Sequence, residues 1–196
     1  MSAPDAPHGS GTPSPWLLRW AHLLPPAAPV LDIACGSGRH LRWLAARGHP
    51  VTGIDRDAAA LAASHGWMAA GQAELIQADI ENRPWPCPGR QWPVVLVTHY
   101  LWRPLWPQIL ASVAPGGLLI YETFADGNQT VGKPSRPDFL LHAGELIQRC
   151  AGLHIVAYED GFLDLPPRCV QRVVAARTVP GASLPVRHAL AAPGPA

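Results

Sequence analysis

LDIACGSGRH, residues 31–40, is the stretch on which the reading of this chain turns. An apolar run stops at Asp32, the chain bends through Gly36 and Gly38, and helical spacing begins immediately afterwards. Open α/β sheets receive nucleotide-like ligands where a strand ends in such a turn and feeds a helix N-terminus. Glycine is required there because a Cβ obstructs both the tight turn and the close approach of backbone to ligand.

Spacing then separates the possible ligands. The dinucleotide fingerprint places its third glycine three residues after the second, and that position holds Leu41. A phosphate loop needs Gly-Lys followed by Ser or Thr, whereas the single lysine, Lys133, precedes Pro134. What remains is a turn, Asp32 to Gly38, suited to a cofactor with no phosphate to cradle. Asp55 closes the next apolar run, VTGID, at a position from which a carboxylate accepts hydrogen bonds from both ribose hydroxyls.

Outward from this turn the chain alternates between strand and helix. Trp16, Leu17, Trp20, Leu23 and Leu24 sit at helical spacing before Pro25 and Pro26, giving an opening helix that packs over the sheet or roofs the cofactor. Strands are expected at 29–34, 50–55, 74–80 and 93–97, with helices at 38–47, after Asp57 as far as Gly66, and at 102–113. PVVLV is apolar at every position, as a central strand buried on both faces should be. GLLIYE adds a fifth strand. Runs near 153–159 and 168–177 are separated by about nine residues that include Pro166 and Pro167. A parallel crossover needs a dozen or more, so the last strand is expected to run antiparallel.

Composition is that of one enzyme-sized domain. The 196 residues, 48% hydrophobic, suffice for one sizeable core. A net charge of +1, from fifteen basic and fourteen acidic residues without a cluster, offers no footprint for nucleic acid. Four cysteines form no C-x-x-C pair and no leader-like segment opens the chain, so reduced thiols and a cytoplasmic location are expected. No apolar run approaches the roughly 20 residues of a membrane span. No histidine or cysteine spacing suggests a metal site. Residues 1–13 and 180–196, rich in Ala, Pro, Gly and Ser, are expected to be disordered tails flanking a domain at 14–179. Composition says nothing about oligomeric state.

LDIACGSGRH, VTGID, QADIE and APGGLLIYE together resemble the successive motifs of class I S-adenosylmethionine-dependent methyltransferases, from Pro29 to Arg177. The segment at 121–146 resembles, within that superfamily, small bacterial methyltransferases related to the tellurite-resistance enzymes, with Lys133 where that pattern has arginine. The resemblance implies an α/β, Rossmann-like three-layer sandwich on a seven-stranded, mostly parallel sheet whose last strand is antiparallel. It implies S-adenosylmethionine as cofactor and methyl transfer by in-line displacement.

Cofactor-binding residues follow position by position. Asp32 is expected to orient the loop or the methionine amino group, and Ala34, Cys35, Gly36, Ser37 and Gly38 to line the methionine portion. Asp55, with Arg56 beside it, is expected at the ribose, Asp79 and Ile80 at the adenine, and Thr98 at the next strand end. The bland reading of Asp32 and Asp79 is a turn-capping carboxylate, and that of Cys35 a small loop filler. Catalytic candidates are His99, Tyr100 and Glu122 at the ends of the fourth and fifth strands, with Arg136 on the segment that follows. His99 suits a general base because an ordinary imidazole titrates near neutrality, although a strand-end histidine is also a common structural hydrogen-bonder. The twenty or so residues after Glu122, rich in Gly, Pro and Asn, are expected to cover the acceptor, since loops of that length are commonly lids or binding elements. Pairs Trp16/Trp20 and Trp102/Trp106 read as packing, with Trp102 a weak rim candidate.

THYL at 98–101 replaces the N-P-P-Y-like motif of nitrogen methylation, and one lysine cannot build the tetrad of ribose methylation. A small-molecule acceptor is therefore expected, a soft nucleophile among the options, with no nucleic-acid or membrane partner. Methylation of RNA or protein, a non-catalytic S-adenosylmethionine-binding protein and a nicotinamide-dependent oxidoreductase are the alternatives; Leu41 and the closing hairpin speak against the last.

Overall fold

The computed structural model describes residues 11–64, 73–181 and 186–191. Seven strands form one sheet: β1 (Val30–Ile33), β2 (Val51–Asp55), β3 (Ala73–Gln77), β4 (Trp92–Thr98), β5 (Val113–Phe124), β6 (His154–Asp164) and β7 (Pro167–Ala176). Their order is β3-β2-β1-β4-β5-β7-β6. Neighbours from β3 to β5 pair in parallel, and β7 lies antiparallel between β5 and β6. The expected α/β sandwich with a reversed last strand is what the chain adopts. Strand order reverses between β1 and β4, and their carboxyl ends therefore diverge from opposite-going crossovers.

The helices are short and divide between the two faces. On one face α1 (Pro15–Trp20), α2 (Arg39–Ala45) and α3 (Ala58–Ala63) bury Trp16, Trp20, Leu41, Leu44 and Leu61 against the sheet. On the other, α4 (Trp106–Ala111) and α5 (Glu145–Arg149) bury Trp106, Ile109, Leu146 and Cys150. Alternate β4 residues supply both cores, Val94 and Leu96 to one and Val95 and Val97 to the other, which is why that strand is apolar throughout. Of the two placements open to the opening helix, packing over the sheet is the one found: Trp16 is 1% exposed and its indole N–H donates to the Val173 carbonyl.

Several boundaries differ from expectation for local reasons. The expected helix at 102–113 is a 3-10 turn at Arg103–Leu105 followed by α4, because Pro104 and Pro107 fit only a first turn. β5 starts at Val113 rather than at Gly117, with a register shift opposite Trp92/Val94 that accommodates Pro115 and left-handed Gly116. β3 ends at Gln77, so Asp79 stands just beyond the strand. The β6–β7 connection is only two residues, Leu165 and Pro166, a tighter hairpin than expected. Prolines 84, 86 and 88 leave the β3–β4 crossover without a helix. The expected helix end at Gly66 lies outside the described residues, as do 1–10, 182–185 and 192–196 of the expected tails. Within the described part of the second tail, His188 stacks on His154 with centroids 5.8 Å apart.

Candidate functional site at the carboxyl edge of the sheet

The loop after β1 is left-handed at Ala34, Gly36 and Gly38, with φ of 57°, 56° and 75°. Glycine relieves two of these positions; Ala34 bears a Cβ and holds its conformation against a cost of about 1 kcal/mol. The loop is pinned from β2. Asp55 accepts from the Gly36 N–H at 2.7 Å through one carboxylate oxygen and from the Asp57 N–H at 2.9 Å through the other. Each oxygen keeps a further lone pair, so two hydroxyls can still be received. Gly53, behind the loop, has no room for a side chain: a Cβ would stand 2.5 Å from Leu41 Cδ1 and 2.8 Å from Cys35 Sγ. Burial, reinforced by the Asp32 and Asp55 charges, pushes the Cys35 thiol far above its ordinary range.

Asp32 lies beneath this loop at 1% exposure and does not line the open surface. Buried His40 explains its setting. The Ser14 N–H donates to His40 Nε2 at 3.2 Å, so the ring carries its proton on Nδ1, 3.3 Å from Asp32 Oδ2. Ser14 also donates through Oγ to Glu122 Oε1 at 2.8 Å, while Arg172 approaches Glu122 Oε2 at 3.4 Å. Glu122, itself 1% exposed, is thus the centre of a buried polar cluster behind the cleft wall.

The remaining candidates stand at the ends of β3 and β4. Asp79 caps its own turn, accepting from the backbone N–H groups of Glu81 and Asn82 and from the Asn82 side chain, which holds its carboxyl below the usual range. It nevertheless lines the cleft, as do Ile80, Arg56, Ser37 and Thr98. His99 is left-handed (φ 54°) and donates its backbone N–H to the Glu122 carbonyl at 2.8 Å. Arg39 Nη2 lies 3.4 Å from His99 Nδ1; arginine only donates, so that nitrogen accepts and Nε2 carries the proton, 3.9 Å from Glu122 Oε1. Burial and the nearby Glu81 carboxylate raise the Tyr100 phenol, which stays a donor at neutral pH.

These elements enclose a cleft of about 1180 Å³ across the point where strand order reverses. Lys133, Pro134 and Phe139 bring the long loop after β5 to its margin. That loop is fastened at its base, where Ala125 pairs with Leu141 and Arg103 holds Glu145 and the carbonyls of Asp138 and Leu140. Arg136 does not line the cleft and is paired with Asp138 and placed over the Phe139 ring, and Trp102 packs on the core without lining it. Sequence reasoning overlooked Ser14, Arg39, His40 and Phe124. Only His40 left a signal, a polar residue on the buried face of α2. Among the described residues no histidine, cysteine and carboxylate cluster could hold a metal.

Residues 30–117, which carry the glycine turn, Asp55, Asp79 and His99, match the family model of a methyltransferase domain. Over that stretch, just under half of its length, the chain is similar to methyltransferase domains. Solved structures of methyltransferases share this fold. An S-adenosylmethionine-dependent methyltransferase from Mesorhizobium loti superposes with a TM-score of 0.64 at 16% identity, over 81% of this chain and 95% of that one. TehB from Haemophilus influenzae gives 0.60 at 18% identity, over 77% of this chain and 58% of its own. The glycopeptide N-methyltransferase MtfA, complexed with S-adenosyl-L-homocysteine, gives 0.58 at 16% identity, over 80% and 86%. No curated protein sequence matches the chain. Among the described residues no helix is long and apolar enough to cross a membrane.

Proposed function

We propose that this domain transfers the methyl group of S-adenosylmethionine to a small-molecule acceptor. One observation carries the reading: the left-handed loop Ala34–Gly38 is tied by its Gly36 N–H to Asp55, on the cleft floor where the strand order reverses. This arrangement leaves backbone and carboxylate lone pairs facing a ligand that has hydroxyls and no phosphate. The cleft, about 1180 Å³, is somewhat larger than the roughly 300–1,000 Å³ of a single small-molecule pocket, which supports room for a cofactor and a small acceptor together.

A bound sulfonium supplies an electrophilic methyl group, leaving the protein to hold, align and exclude water. Ala34, Cys35, Gly36, Ser37 and Gly38 would cradle the methionine portion, with Asp32 stiffening the loop from below. Asp55 and Arg56 would hold the ribose, Asp79 and Ile80 the adenine, and Thr98 the floor beneath. His99 and Tyr100 would face the acceptor. Glu122 acts one layer back, as a positioning residue that fixes the His99 backbone and faces its Nε2–H. As placed, the His99 lone pair is engaged by Arg39, so a base role requires that contact to open. A soft nucleophile that needs no base fits this arrangement. The loop at 125–144 would close over the acceptor.

Calorimetric titration tests the reading. S-adenosylmethionine and S-adenosylhomocysteine should each saturate one site, and NAD should give no heat. Release of S-adenosylhomocysteine should then accompany turnover on a panel of small thiols, phenols and amines. Saturation by NAD alone, or tight cofactor binding with no turnover across the panel, would overturn it.

A further inference from the structure

The carboxylates of the cleft are confined to one side, where Arg39, Arg42 and Arg56 also line it. Its β1–β3 side contributes all four lining carboxylates, Asp55, Asp57, Asp79 and Glu81. The side built from β4, β5 and the following loop contributes none; it brings Thr98, His99, Tyr100, Phe124, Lys133 and Phe139. Glu122 lies behind that wall, with Ser14 and Arg172 on its oxygens, and reaches Arg39 only as a field and not as a direct partner.

Arg39 reaches across to the side without lining carboxylates, its Nη2 at 3.4 Å from His99 Nδ1. It is half-buried and forms no ion pair with a carboxylate among the described residues. Burial lowers its proton affinity and Arg168 adds to that, against the opposing fields of Asp32 and Glu122. A partly desolvated guanidinium without a counter-ion carries an unfavourable solvation energy that an incoming anion relieves. Its planar fork suits a carboxylate-like oxyanion better than a point charge does. Beside it, the Phe124 ring lies 5.1 Å from that of His99, and Phe139, 40% exposed, also lines the cleft with Arg136 over its ring.

We infer that Arg39 is the anion-recognising residue of the acceptor site, and that the acceptor is a small molecule bearing an oxyanion next to a flat apolar body. The inference rests on the methyl-transfer reading for the word acceptor. The other source of the same chemistry is the carboxylate of the cofactor's own methionine, and the test separates the two.

Benzoate and benzamide, alike in shape and different in charge, are titrated by NMR into wild type, R39Q and R39K, each with and without S-adenosylhomocysteine. Benzoate should bind wild type on the order of tenfold more tightly than benzamide, the difference expected of a charged hydrogen-bonded pair. R39Q should abolish that preference while leaving benzamide and S-adenosylhomocysteine affinities within about twofold, and R39K should restore part of it. Equal binding of the two probes to wild type overturns the inference, whatever the state of the variants. So does an R39Q protein that loses S-adenosylhomocysteine and keeps its benzoate preference, which would give Arg39 to the methionine carboxylate. Wild type that favours benzoate through Arg39 yet ignores S-adenosylhomocysteine would sink the methyl-transfer reading and leave the anion site standing.

Discussion

Ser14 and Glu122 lie 108 residues apart and are joined by a 2.8 Å hydrogen bond, which fastens the first turn of α1 to the end of β5 directly behind the cleft. The same Ser14 Oγ accepts the Trp16 N–H at 3.0 Å, so a single hydroxyl both caps the helix and satisfies a buried carboxylate. Ser14→Ala should cost about 1.5 to 3 kcal/mol, since the loss falls on a charged, buried partner. Urea unfolding measures it. A change below about 0.5 kcal/mol, the scale of an ordinary surface substitution, would show that the bond does not hold the helix.

Asp55 anchors the loop and is proposed to hold the ribose, and the two roles separate by substitution. Asp55→Ala should weaken S-adenosylhomocysteine binding by about 1.5 to 3 kcal/mol, a loss of roughly tenfold to a hundredfold or more. Asp55→Asn keeps the shape but presents one acceptor oxygen instead of two. Its affinity should fall between the two, read by calorimetry.

The Cys35 thiol has its pKa raised by burial and by two neighbouring carboxylates, so the folded state holds a proton that the unfolded chain releases. With the folded value above the unfolded one, the stabilisation is complete below about pH 8.5, the unfolded thiol's range, and declines as pH rises beyond it. Cys150, pushed up to about 12 by burial, contributes in the same direction. Cys35→Ala should therefore flatten, without abolishing, the fall in stability between pH 8.5 and 10 measured by chemical unfolding. In the folded protein Cys35 should react with iodoacetamide far more slowly than the less buried Cys169, as mass mapping of the adducts would report.

Arg103 joins the two edges of the long loop's base, donating to both Glu145 oxygens at 2.9 and 2.8 Å and to two loop carbonyls. The Glu145 carboxyl is held below its usual range by these bonds despite its burial. Its stabilisation is present above about pH 4.3, the unfolded value, and is lost as pH falls through the lower folded one. Arg103→Ala should raise protease cleavage within 125–144 and make it insensitive to ligands. In wild type, cofactor and acceptor together should suppress that cleavage, and unchanged nicking would exclude a lid.

The glycine turn, Asp55 and the strand pattern were legible because each is a local steric or periodic demand: a backbone near a ligand excludes Cβ, and a doubly covered strand excludes polar residues. Strand direction at the carboxyl end of the chain was legible too, since a short connector cannot cross over. Local chemistry could not show that Glu122 lies behind the wall, because a strand-end carboxylate looks the same from either side of the sheet. Nor could it show that α1 reaches Glu122 and His40 through one serine.

The order of residues was enough to specify an α/β sheet with a glycine turn at its carboxyl edge, because those requirements act between near neighbours. Which polar groups meet there depended on folding, which brought Ser14 to Glu122 and Arg39 to His99 across 108 and 60 positions. Contacts of that range arise from packing α1 and α2 on one face of the sheet, and no periodicity in the chain encodes them.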